Sequence, residues 1–95
     1  MHIQWSARAR RDFVEALTYI ADDNPDAAAR VQHRIEEAIG HLTRNPGMGR
    51  PGRVDGTREL VVARTPYIVP YRVRGQVVEI IAVMHGAQQW PDSFD

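Results

Sequence analysis

Ala9, Phe13, Ala16, Leu17 and Ile20 recur at three- and four-residue intervals, and Ala28, Val31, Ile35, Ala38, Ile39 and Leu42 resume the pattern after a break. That spacing lines each set along one face of an α-helix. It predicts a first helix capped by Ser6 and ending near Asp23, and a second running to about Arg44. Between them stands Asn24-Pro25. Asn caps the second helix, and Pro suits its first position because its φ is preset and no N–H is needed there. So short a connection folds the helices back as an antiparallel hairpin. Each has one apolar face, so another element must cover it.

The cover comes from segments that alternate. In the opening MHIQW, Ile3 and Trp5 share a face of a short strand. Asn45-Pro46-Gly47 stops the second helix, and the Gly- and Pro-rich stretch 45–56 suits neither helix nor strand. Three strands follow. TRELVVA (57–63) sets Leu60 and Val62 opposite Glu59 and Val61, and YIVPYRV (67–73) sets Tyr67, Val69, Tyr71 and Val73 on one face. Pro70 within it cannot donate to a ladder, which points to a bulge or a partly unpaired strand. After the turn Arg74-Gly75-Gln76, VVEIIAVM (77–84) is apolar on nearly both faces, as a central strand is. The order β-α-α-β-β-β predicts an α+β fold, a helical hairpin packed on a mainly antiparallel four-stranded sheet. With 95 residues, no repeat and no linker, the expectation is a single domain over 1–95.

Charge sharpens one region. The chain is formally neutral, with twelve Arg, no Lys and no Cys. Residues 50–74 hold six arginines (Arg50, Arg53, Arg58, Arg64, Arg72, Arg74) against Asp55 and Glu59, while residues 75–95 hold none. A local basic patch on a neutral protein implies a specific anionic contact rather than general nucleic-acid affinity. Surface pairing with Asp55 or Glu59 is the structural alternative, although single exposed pairs contribute little stability. The absence of Cys excludes disulfides and thiolate zinc sites. No apolar leader or membrane-length run is present, so a cytoplasmic protein away from membranes is expected.

The remaining candidates are few. His33 and His41 are eight residues apart, no HExxH occurs, and the glycines at 47, 49, 52 and 56 lack the strand and helix of a nucleotide-binding loop. No metal and no cofactor is expected. His85 stands where the last strand finishes, at a sheet end, and a histidine there suits acid–base or hydrogen-bond chemistry near neutral pH, or simply caps the strand. Tyr67 and Tyr71 read as core residues with hydroxyls reaching water, and Trp90 as a dock for the tail or for a partner.

The ordered set N-P-G-M-G-R-P, G-T-R-E-L-V-V, Y-I-V-P-Y-R-V and V-E-I-I-A-V-M-H, behind a helical hairpin, resembles the RelE/ParE superfamily, the toxins of type II toxin–antitoxin modules. The likeness runs from Trp5 to Pro91 and rests on the ordered set rather than on any single motif. It implies a cognate antitoxin as partner and one of two targets. RelE-type members cleave mRNA in the ribosomal A site; there Arg50, Arg53 and Arg58 would hold and stabilise phosphate, and Glu59 or His85 would move protons. ParE-type members poison DNA gyrase without catalysis of their own; there Arg50, Arg53, Arg58, Arg72 and His85 would be contact residues. RelE-type toxins commonly carry an arginine in an R-L-V-Y pattern within the middle strand, where this chain reads Tyr67-Ile68-Val69-Pro70, and their site lysines are absent. Arg72 lies close enough to substitute. The helix pair joined at Asp23-Asn24-Pro25, the loop Pro46–Pro51 and the Tyr71-Arg72-Val73 strand look like ParE. The expectation is a gyrase-directed toxin, with a ribosome-dependent endoribonuclease as the alternative and an antitoxin-binding member without a target as the third reading.

Overall fold

The computed structural model describes residues 1–94; Asp95, the last residue of the expected domain, lies outside the described residues. The element order is β1 (His2–Trp5), α1 (Ala7–Asp23), α2 (Pro25–Gly40), a 3₁₀ turn (His41–Thr43), β2 (Arg50–Pro51), β3 (Arg58–Val61), β4 (Tyr67–Arg74), β5 (Val77–Ile80) and β6 (Met84–His85). The helical hairpin forms as its caps demand. Ser6 Oγ accepts the Ala9 N–H at 2.9 Å, and Asn24 Oδ1 accepts that of Ala27 at 3.1 Å with Pro25 opening α2. α2 ends at Gly40, and the 3₁₀ turn carries the chain on to Thr43.

The sheet runs β1-β5-β4-β3-β2, with β6 also paired to β4. Every pairing is antiparallel except β1 with β5, which is parallel from His2↔Val77 to Trp5↔Ile80. The expected architecture stands, but the strands divide differently. Arg50–Pro51, read as loop, forms the short edge strand β2 against Arg58 and Glu59. The single run 77–84 is broken into β5 and β6.

Pro70 explains the break. Tyr71 pairs with Ile80 and Ile68 with Met84, so two residues of β4 face the three residues 81–83, which is a bulge. In an antiparallel ladder a hydrogen-bonded pair exchanges two N–H···O bonds. Ile81 donates to the Pro70 carbonyl at 3.0 Å, but Pro70 has no N–H to return. The orphaned groups are met from α1's end of the chain. Ser6 Oγ donates to the Ile81 carbonyl at 2.8 Å, and Asp12 Oδ2 accepts the Val83 N–H at 3.1 Å. The bulge thereby stitches the first helix to the sheet.

One face of the sheet carries the core. Leu60, Val62, Tyr67, Val69, Tyr71, Val78, Ile80 and Val83 meet Ala9, Ile35, Ile39 and Leu42 of the helical layer, with Trp5 and Phe13 in ring contact at 5.2 Å. Fully burying one such aliphatic side chain stabilises the fold by about 1.5–3 kcal/mol. A second, smaller cluster joins Ile81, Ala82 and Met84 to Trp90 and Phe94, so the chain's end packs against the domain.

Ser6 serves the N-cap and the bulge together. Ser6→Ala is expected to cost about 2 kcal/mol, more than an exposed cap alone, because it also strands the Ile81 carbonyl. Urea denaturation of the two proteins measures this, and a loss near the cap value of about 1 kcal/mol would show that the bulge does not depend on Ser6.

Candidate functional site: an arginine loop closed on a buried carboxylate

The stretch from Asn45 to Arg58 leaves the helical layer, crosses the sheet edge and returns as β3. Four glycines lie in it, and two are dictated by packing. A Cβ on Gly49 would lie 2.7 Å from the Tyr71 ring, and one on Gly52 would press on the Thr57 side chain and its carbonyl. Nothing larger than glycine fits at either position without the neighbour moving.

Glu59 is the centre of this region. Its side chain is only 2% exposed, on the sheet face away from the helices, directly across the ladder from Arg50. Oε1 accepts from Arg50 Nε at 3.0 Å and Nη2 at 2.9 Å. Oε2 accepts from the Arg53 backbone N–H at 2.8 Å and from Arg53 Nε at 3.0 Å, while Arg53 Nη2 adds a longer bond of 3.3 Å to Oε1. Burial by itself would raise the carboxyl's pKa, but the bonds from Arg53 and Arg50 more than offset it, and the group is held below its ordinary value of 4.5. At neutral pH Glu59 is an anion, with donors on both of its oxygens. It organises the loop, and proton transfer would require it to leave its five donors.

The two arginines remain half in solvent, with side chains 51% and 44% exposed. Arg53 is fixed twice, since its guanidinium carbon lies 3.7 Å over the Trp90 ring while its nitrogens hold Glu59. Trp90 therefore docks the tail onto the loop. Arg58 projects on the other face of β3, where Nη1 donates to the Gly49 carbonyl at 2.8 Å. It shares a cleft of about 330 Å³ with Arg72, Pro51, Gly56 and Thr57. Arg72 Nε donates to Glu79 Oε1, its direct cross-strand partner, at 2.9 Å.

Sequence reasoning misjudged Tyr71. Its hydroxyl is not wet: the side chain is fully buried, the hydroxyl donates to the Pro46 carbonyl at 2.7 Å and accepts the Gly49 N–H at 2.9 Å. Tyr71 pins the start of the loop from the helix face while Glu59 pins its end from the other. The partners lie more than twenty positions away in sequence, so no local pattern signals them.

His85 is not part of this arrangement. It pairs with Tyr67, whereas Arg58 pairs with Tyr71 on the opposite side of β4. Four residues of strand separate those positions, about 13 Å, with about 10 Å more across two strand spacings. His85 Nδ1 accepts the Ala87 N–H at 3.0 Å, and the ring meets Tyr67 edge-on at 5.6 Å. It lines a cleft with Asp12 and Glu15, where a phosphate would meet two carboxylates. The structure thus gathers Arg50, Arg53 and Glu59, sets Arg58 beside Arg72, and leaves His85 apart. Among the described residues no group of three or more His, Asp or Glu is placed to hold a metal, and no helix is long and apolar enough to cross a membrane.

Residues 3–90 match the family model of the ParE toxin of the parDE type II toxin–antitoxin system. The chain belongs to the ParE toxin family. It is 54% identical over 89 residues to Sinorhizobium fredii Y4kP, which bears the name of a toxin, covering 94% of this chain and 92% of that protein. Toxin RelE1 of Caulobacter vibrioides is 34% identical over 86 residues, covering 88% of this chain and 91% of its own length. Among solved structures, the chromosomal ParDE toxin–antitoxin system of P. aeruginosa superposes with a TM-score of 0.81 at 28% identity, covering 90% of this chain and 95% of that one. The two-helix, mixed-sheet architecture and the family agree. The protein is a type II toxin of the RelE/ParE superfamily.

Two predictions test the loop's anchors. Tyr71→Phe leaves the Pro46 carbonyl and the Gly49 N–H without a partner and is expected to cost about 2–3 kcal/mol in urea unfolding. For Glu59, a folded pKa below the unfolded value means that its stabilisation is complete above pH 4.5 and is lost as pH falls through the folded value. The gap in urea midpoint between this protein and its Glu59→Gln variant is therefore largest at neutral pH and narrows on acidification below pH 4.5. A gap that stays constant would show that the ionised carboxylate does not hold the loop.

Proposed function

We propose that this toxin acts as a gyrase poison and that a cognate antitoxin, acidic where it wraps the toxin, silences it. The observation that carries the first half is the separation of the would-be catalytic groups. Glu59 is saturated by five donors, Arg58 faces away from it, and His85 sits far along the sheet in an acidic cleft. General acid–base catalysis needs its groups within hydrogen-bond reach of one reacting centre. A docking surface needs only shape and charge, and the arginines around β2 and β3 supply both. The ParE family match and the ParDE superposition support the same reading. For the second half, the ParDE neighbour is a toxin–antitoxin system, and the residual positive charge on the loop suits an acidic binding segment.

A ribosome-dependent mRNA endonuclease is the second reading, favoured by the relatives of C. vibrioides named Toxin RelE1 and Toxin RelE2, each 34% identical to this chain. Cells induced for this protein alone separate the two when new DNA and new protein are labelled in parallel over the first minutes. DNA synthesis is expected to fall while translation continues, and purified protein is expected to trap gyrase on cleaved DNA. Arg58→Ala is expected to lower that potency about tenfold, equivalent to about 1.4 kcal/mol of contact energy. Early collapse of translation, with mRNA cut on the ribosome, would overturn the gyrase assignment.

A further inference from the structure

β1 ends the sheet at the edge opposite β2 and the arginine loop. Where the helical hairpin meets it, Trp5, Phe13 and Ile39 form the apolar floor of an open cleft of about 540 Å³. The Trp5 and Phe13 rings, with centroids 5.2 Å apart, are only half-buried there. Arg10 and Val14 of α1 make one rim, and Glu36 and Gly40 of α2 the other. Each pair is four residues apart, so its members stand on one side of their helix.

We propose that this cleft is a self-docking surface on which a second copy of the chain packs about a two-fold axis. Val14 of each copy enters the cleft of the other, and Arg10 of each meets Glu36 of the other. The proposal is independent of the gyrase and antitoxin readings, which rest on the arginine loop.

Gly40 supplies the observation that an apolar cleft alone would lack. Its angles are right-handed helical, φ −57° and ψ −34°, so it is not the left-handed glycine that often ends a helix. A Cβ built on it meets nothing within 4 Å outside its own turn of helix. In that conformation glycine is less favourable than alanine, because its backbone loses more freedom on folding. The fold of one chain gives no reason for glycine here. Close approach of a second backbone does.

The rim identifies the occupant. Val14 is 62% exposed, an apolar knob standing next to an apolar hole. Arg10 and Glu36 are exposed, and neither is in an ion pair among the described residues although they line one cleft. A patch that holds a knob with a hole, and one cation with one anion, is complementary to itself. A two-fold rotation brings each member onto its opposite in the other copy. The acidic antitoxin segment inferred above would instead set Glu36 against its own sign.

Sedimentation equilibrium of the purified protein, from about 5 µM to about 1 mM, tests this. A monomer–dimer equilibrium with a Kd of about 50 µM is expected, as suits a small patch. Arg10→Glu and Glu36→Arg, both at exposed positions, each place like charges together and are expected to weaken it about tenfold. Mixed in equal amounts, the two variants are expected to recover the original affinity, since each supplies the charge that the other lacks. That recovery requires both variants to be folded. Gly40→Ala is expected to raise the urea midpoint at about 1 µM, where the chain is monomeric, yet weaken association about fivefold. A protein that stays monomeric to about 1 mM would overturn the proposal and leave the cleft to a partner of another sequence. A dimer indifferent to both charge reversals would overturn its placement here, and a mixture no tighter than its components would overturn the Arg10–Glu36 pairing. Growth beyond a dimer would overturn the symmetry, because a two-fold interface closes on itself.

Discussion

A carboxylate that is almost wholly shielded from water must be surrounded by donors or lose its charge, and Glu59 is surrounded. That constraint organises the segment from Gly49 to Arg58. Arg50 has to pair across the ladder, which makes β2 a strand; Arg53 has to turn both its backbone and its side chain inward, which curls the loop between them. Removing one partner from such a cage leaves an uncompensated buried charge, so the parts hold or fail together. Trp90 extends the dependence to the chain's end, because the ring rests on the arginine that Glu59 immobilises. From the opposite face Tyr71 holds Pro46 and Gly49. The loop is pinned through both faces of the sheet, and its glycines mark where backbone and ring come too close for a side chain.

A second constraint acts within β4, at the residue that faces Glu59 across the ladder. Pro70 returns no hydrogen bond to Ile81, the ladder slips by one residue, and the strand beyond restarts as β6. The displaced backbone groups become the attachment points for Ser6 and Asp12. Asp12 is thereby drawn down to the sheet beside Tyr67 and His85, so a missing N–H in one strand determines the chemistry of a cleft formed with a helix.

The helices, their caps and the strands β3, β4 and β5 were legible because each depends on neighbours within a few residues. Ser6, Asn24-Pro25 and the apolar spacing of α1 and α2 behave as local rules require. Pro70 was legible as a disturbance, and the bulge is its form. The family was legible from ordered segments along nearly the whole chain. What the pattern left open was side-chain partnership at long range. Glu59 reads as one acid among arginines, and nothing nearby states that it is buried, because its burial depends on Arg53 folding back and on the Trp90 ring that covers that arginine. Tyr71 reads as an ordinary core tyrosine, and its partners precede it by 22 and 25 positions. His85 was placed correctly at a sheet end, but its acidic surroundings come from Asp12 and Glu15 of α1, far earlier in the chain.

The arrangement has a consequence for how a positive surface recognises anything. An arginine waving in solvent must surrender side-chain entropy when it binds, about 2 kcal/mol at most for a chain of that length. Arg50 and Arg53 have surrendered much of it already to Glu59, and Arg53 more again to Trp90. The same contacts neutralise part of their charge, so the loop exchanges long-range attraction for preorganised donors. Such a surface discriminates by geometry, accepting a partner whose acceptors match guanidinium planes already fixed in position. A protein with no net charge and a single rigid basic loop is poorly suited to gripping nucleic acid at large. Under the proposed function, the partner that meets it presents a protein surface whose acceptors match those planes.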